Sequence, residues 1–136
     1  MGSRGAFVDV KSGDFSFKEN GQEYYSLGVL SSNPNVKIIM QKEGSVSAPE
    51  YSHTAGRIYA TLQKDDKTGV VRLKHLSYYD SKHKQSVSVD FLHAHNGVRP
   101  HVHYGIEDHS RSTPGKKPTK EQLDLANDIR KEFHVL

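Results

Sequence analysis

Apolar and polar positions alternate most clearly in the middle of the chain. Arg57 to Leu62 (RIYATL), Val70 to Tyr79 (VVRLKHLSYY) and Ser86 to His95 (SVSVDFLHAH) are β-branched and aromatic runs with a period near two. That spacing turns one side of a strand to a core. The separators KDDKTG and DSKHKQ are short, polar and turn-like, so the three runs are expected to fold into an antiparallel meander. A fourth run, His101 to Ile106 (HVHYGI), follows the NGVRP turn and extends it by one strand.

The flanks are less regular. Residues 1–47 are rich in Gly, Ser and Asn, with short apolar runs at Phe15 to Phe17 and Val36 to Met40; they read as an irregular or edge-strand lead-in, with SSNPN at Ser31 to Asn35 as a turn. APEYSHTA, from Ala48 to Ala55, predicts a short helix with Pro49 in its first turn. Glu107 to Pro118 is a loop by composition. Thr119 then opens TKEQLDLANDIRKEF, where Thr119 and Gln122 have capping-box spacing and Leu123, Ala126, Ile129 and Phe133 recur on one helical face. The expected class is α+β in a single domain over residues 1–136: a lead-in over 1–47, a short helix plus four-stranded meander over 48–106, and a C-terminal helix over 119–134.

Composition narrows the chemistry. A chain of 136 residues accommodates one core and not two. With no Cys there are no disulfides, thiolate metal sites or cysteine nucleophiles, so chemistry rests on oxygen and imidazole. A net charge of +3 mildly favours polyanionic partners. No apolar stretch reaches the ~20 residues of a membrane-spanning helix and no signal-type block opens the chain, so no membrane partner is expected. The opening GSRGAFVDV reads as the start of an excised domain.

The unusual number is nine His, four of which lie within DFLHAHNGVRPHVHYG, from Asp90 to Gly105. Positions i and i+2 of a strand share a face, so His93 and His95 are neighbours, as are His101 and His103. If residues 96–100 form the loop, His95 sits opposite His101 and His93 opposite His103, and four imidazoles converge. The register decides this, because a one-residue slip sends a pair to the other face. Three readings are open. Single His residues often fill half-buried strand positions. Three or four imidazoles can bind a metal ion such as zinc, with His93, His95, His101 and His103 as ligands. Two imidazoles can instead act as base and acid on an RNA phosphodiester without metal, one taking the 2′-hydroxyl proton and the other protonating the leaving 5′-oxygen. Arg57, Lys74 and Arg99 are candidate phosphate contacts; Arg72 and Lys74 alternate onto one face of their strand, with His75 pointing the other way. No P-loop, GxGxxG or GxSxG sequence is present.

APEYSHTAGRIYATL, followed by LKHLSYYDSKHKQSVSVDFLHAHNGVRPHVHYG, resembles a domain found near the C-terminus of phage minor head-type proteins and related mobile-element proteins of Gram-positive bacteria. Its pattern is an Arg-X-Tyr strand, a Leu-Lys strand ending in Tyr-Asp, and an Asp-Leu-X-His-X-His-X-Gly-X-X-Pro-His-X-His-X-Gly hairpin. The resemblance covers roughly Ala48 to Gly105, with Phe91 in place of Leu. Such domains resemble the barnase–EndoU–colicin–RelE group of metal-independent ribonucleases. The resemblance implies a phage-borne or toxin-type endoribonuclease needing no cofactor, acting on RNA in the cytoplasm of a target cell or carried in a virion. It points to Arg57 and Tyr59 as substrate-binding residues and to His93, His95, His101 and His103 as catalytic ones. A cognate acidic immunity protein or other virion proteins are the implied partners. The alternative is a non-enzymatic module of a virion or mobile element whose His cluster binds zinc.

Overall fold

The computed structural model describes residues 17–19, 22–41, 48–92, 100–104 and 116–136. Among them are strands β1 (Phe17–Glu19), β2 (Gln22–Leu30), β3 (Asn33–Gln41), β4 (Ile58–Lys64), β5 (Val71–Tyr79), β6 (Gln85–Asp90) and β7 (His101–Tyr104), and one helix, α1 (Lys120–Phe133). The class is α+β, as the sequence predicts, and β4 to β7 form an antiparallel meander in roughly the expected places. The sheet is larger than expected: it runs β1 to β7 in chain order and is mixed, because β3 and β4 are parallel.

The lead-in is therefore a sheet component. Val36, Ile38 and Met40 face one side and Ile39 the other, and all four are buried, which is the mark of an interior strand. The turn expected over SSNPN occupies Ser31 and Ser32, and Asn33 already belongs to β3. In β2, Leu27 is an extra residue between the pairs Ser26 with Ile39 and Gly28 with Ile38. Gly28 takes φ +114 at this bulge, a backbone that side chains disfavour. The shift lets Tyr24 and Leu30 reach cores on opposite sides of the sheet.

Residues 48–57 form no helix, contrary to the sequence expectation. Their backbone groups are satisfied by the turn between β5 and β6: Ser52 N donates to His83 O at 2.8 Å, Gln85 N donates to Glu50 O at 2.9 Å, and Tyr51 bridges to Lys84. That turn is held by Asp80, whose Oδ1 accepts from Lys84 N and Lys82 N. These backbone donors hold the Asp80 carboxyl below its ordinary range. The β4–β5 turn repeats the device, with Asp65 Oδ1 accepting from Lys67 N and Thr68 N.

Helix α1 starts as expected. Thr119 is its N-cap and closes a full capping box with Gln122, and His134 ends it in the left-handed conformation. Ala126, Ile129 and Phe133 are buried, but Leu123, expected beside them, is 38% exposed. Leu125 packs on the core instead. Helix α1 lies against β5, over a core that includes Leu62, Leu73, Leu76, Val89 and Val102.

The opposite sheet face carries a smaller cluster of Tyr24, Ile39, Tyr59 and Tyr79. Tyr59 and Tyr79 meet edge to face at 5.1 Å. The Tyr79 hydroxyl donates to Pro49 O, and burial pushes its ionisation well above the usual phenol range. A raised acid contributes stability that is complete below its unfolded value, about 10, and is lost as pH climbs above it. Tyr79→Phe should therefore flatten the alkaline limb of a stability–pH curve. At neutral pH it should cost only about 1 kcal/mol, since Pro49 O keeps a hydrogen bond from Gln85 Nε2. Chemical denaturation from pH 7 to 11 checks both; an unchanged alkaline limb would count against this role.

Candidate functional site

Strand register builds the site on the face opposite α1. The cross-strand pairs Ile39 with Thr61, Thr61 with His75, His75 with Asp90 and Asp90 with His101 form one row across five strands. The adjacent row joins Lys37, Tyr59, Ser77, Ser88 and His103. Directly opposed residues share a face with Cβ atoms about 4.5–5.5 Å apart, so β3 to β7 gather hydroxyl, imidazole, carboxylate and ammonium groups into one band.

His101 and His103 are brought together, as their spacing predicts. Their Nε2 atoms are 3.0 Å apart and their rings meet edge to face at 4.7 Å. A hydrogen bond between two imidazole nitrogens has one N–H and one lone pair, so this contact sets a proton donor against a proton acceptor. Both rings are buried, at 3% and 7% exposure, so a substrate reaches them only by displacing what covers them.

Their partners across the strand differ from the expected ones. Asp90, not His95, lies opposite His101, and Ser88, not His93, lies opposite His103. The reason is the alternation of β6 itself. Val87 and Val89 turn to the helix-side core, followed by Phe91, and Ser88 and Asp90 turn to the site. A pairing of His93 and His95 with β7 would require odd positions on the site face and so conflicts with that core. The strand stops where Leu92 N donates to Asp90 Oδ1 and Phe91 N donates to Lys74 O, each at 2.9 Å. The Phe91 ring packs under the Arg130 guanidinium at 5.0 Å. His93, His95 and Arg99 lie outside the described residues.

His75 and Asp90 are site residues that the sequence reading missed. His75 Nε2 lies 3.3 Å from Asp90 Oδ2, in a half-buried pair. His75 reaches this face because β5 carries a bulge. Leu62 pairs with Leu73 but Thr61 with His75, leaving Lys74 as the extra residue. Strict alternation, which set Arg72 with Lys74 and against His75, fails here: Arg72 and His75 pair with Gln63 and Thr61 and share a side. Lys74 is buried at the bulge. The signal that could have found Asp90 is the polar–apolar alternation of SVSVDF.

The other expected contacts lie at the β3–β4 end. Arg57 is half-buried; its Nη2 donates to Thr54 Oγ1 and its Nη1 to Pro34 O. Tyr59 is 1% exposed, with its hydroxyl accepting from His53 N, so it acts here through packing. Lys37 lies in register with Tyr59, and burial, then the charge of Arg57, lowers its ammonium below the usual range. The two cations are thus close enough to feel each other.

Among the described residues, no group of three or more His, Asp and Glu side chains converges as a metal site. The zinc reading draws two of its four ligands, His93 and His95, from outside those residues. Also among them, no helix is long and apolar enough to cross a membrane. No family model matches the chain, and comparisons with curated proteins and with solved structures likewise give no match.

Proposed function

We propose that the chain is a metal-independent endoribonuclease of phage or toxin type, cleaving RNA by transesterification through a 2′,3′-cyclic phosphate. The observation that carries this reading is the His101–His103 pair, whose Nε2 atoms meet at 3.0 Å beside the Asp90–His75 pair. Substrate entering between the two rings takes over their hydrogen bond. The neutral ring accepts the 2′-hydroxyl proton on its free lone pair, and the other ring, as imidazolium, gives its Nε2 proton to the 5′-oxygen as it leaves. Asp90 lies between His75 and His101 in the strand row and orients imidazole by accepting a ring N–H. Arg57 and Lys37, at the β3–β4 end of the band, supply positive charge for the RNA backbone that runs across it.

The resemblance to the phage minor head-type domains supports the same reading, and an acidic inhibitor protein would suit its cationic residues. The test is cleavage of a fluorescent oligoribonucleotide in excess EDTA. Cleavage at unchanged rate, with cyclic phosphate ends and none on 2′-O-methyl RNA, is the expected result. Stoichiometric zinc in the purified protein, with no cleavage before or after chelation, would overturn it in favour of the metal-binding module.

A further inference from the structure

Among the described residues, polar atoms of Thr61, Ser77 and His75 on the site face lack the partners that burial demands. Thr61 and Ser77 are fully buried, yet neither Thr61 Oγ1 nor Ser77 Oγ completes a hydrogen bond among the described residues; Ser77 only lies towards the Tyr79 hydroxyl. His75 Nδ1 is also buried and has no hydrogen bond among the described residues, while Nε2 of the same ring faces Asp90. An unmet polar group in a protein interior costs about 1–3 kcal/mol, and three side by side are not random scatter. Thr61 pairs directly with His75, and Ser77 is the next residue of β5 on that face. The orphans are thus neighbours on two paired strands, and the two hydroxyls, joined by Nδ1 when the ring carries both protons, point to a bound molecule that accepts hydrogen bonds.

Its charge follows from the surroundings. Lys37 stands on the same side one row away, close enough to Arg57 to feel its charge, and His101 lies directly opposite Asp90. The Asp90 carboxylate is already engaged, with Oδ2 at His75 Nε2 and Oδ1 accepting from Leu92 N. Two hydroxyl donors, and a His75 ring that donates from Nδ1 once it carries both protons with Nε2–H held by Asp90, suit a tetrahedral oxyanion.

We infer that Thr61 Oγ1, Ser77 Oγ and His75 Nδ1 form a binding site for a phosphoryl group. Resting on the ribonuclease reading, this is the subsite that holds a backbone phosphate flanking the one cleaved at the His pair, two to three strands away on the same face.

Inorganic phosphate is the probe. The intact chain is titrated in a thermal-unfolding assay, against sodium chloride at matched ionic strength. Phosphate should raise the unfolding temperature above the chloride control. Thr61→Val and Ser77→Ala should each weaken phosphate binding about tenfold or more, as for a lost hydrogen bond to a charged group. Without phosphate both should melt no lower than the parent protein, because each removes a buried orphan. Thr61→Ser retains the hydroxyl and should bind normally. No phosphate-specific rise, or a rise that both variants keep in full, would overturn the site. Phosphate binding without RNA cleavage keeps the site and removes the ribonuclease reading, whereas cleavage without phosphate binding removes the site alone.

Discussion

His103→Ala and His101→Ala should each lower kcat/KM for RNA cleavage by roughly 10²- to 10⁴-fold, the usual contribution of a positioned general acid or base. The size follows from their contact: with Nε2 atoms 3.0 Å apart, the donor and acceptor roles belong to the pair, and removing either ring leaves the other without its complement. The double variant should accordingly be little worse than the worse single one, as for groups that act as a unit. Both positions are buried, so part of any loss could come from the fold. Two controls separate the causes. Unfolding temperature reports the cavity, and Ser88→Ala, directly opposite His103, removes a hydroxyl while leaving both rings. A Ser88→Ala protein should keep activity within a few fold. Cleavage within a few fold of the parent for both alanine variants, measured with folded protein, would rule out the imidazole mechanism.

The meander was legible because its signals are local. The Asp-led separators that became turns do so through side-chain acceptors that fold back on their own backbone, as with Asp65 and Asp80, and such chemistry is readable within five residues. The capping box of Thr119 and Gln122 is equally local. The parallel pairing of β3 with β4 carries no such mark. Its two strands are joined by residues 42–57, and nothing in VKIIM says which strand lies beside it. The missing helix at residues 48–55 has the same origin, since its hydrogen-bond partners sit in a turn some thirty residues away.

The site was legible in part. Placing His101 and His103 side by side needs only the two-residue period of a strand. Pairing them correctly needed the core. Val87 and Val89 fix which face β6 turns inward, and that constraint outranks any symmetry between the two His-X-His units. His75 was hidden by one inserted residue. With Lys74 as a bulge, Leu73 and Leu76 both reach the helix-side core, a three-residue spacing that reads as helical rather than extended. Bulges recur beside active sites because they re-aim a side chain, and here the bulge turns His75 towards Asp90.

The same alternation makes the helix a support for the site, and the largest stability effect is expected there. Leu76 lies between His75 and Ser77, Val89 between Ser88 and Asp90, and Val102 between His101 and His103; all three belong to the core beneath α1. Ile129 is fully buried in that core, flanked on its helix face by Ala126 and Phe133. Ile129→Ala should cost about 2–5 kcal/mol, through lost transfer energy and the cavity left behind. Leu123→Ala, on the same helix with the capping box intact, should stay within about 0.5 kcal/mol, because that side chain is 38% exposed. Urea unfolding of the two variants measures the contrast. Equal costs would mean that α1 seats the Leu123 face instead. With the observed seating, Ile129→Ala should also lose cleavage activity at a lower temperature than Leu123→Ala, since loosening the packing behind β5, β6 and β7 releases the strands that hold His75, Asp90, His101 and His103 in register.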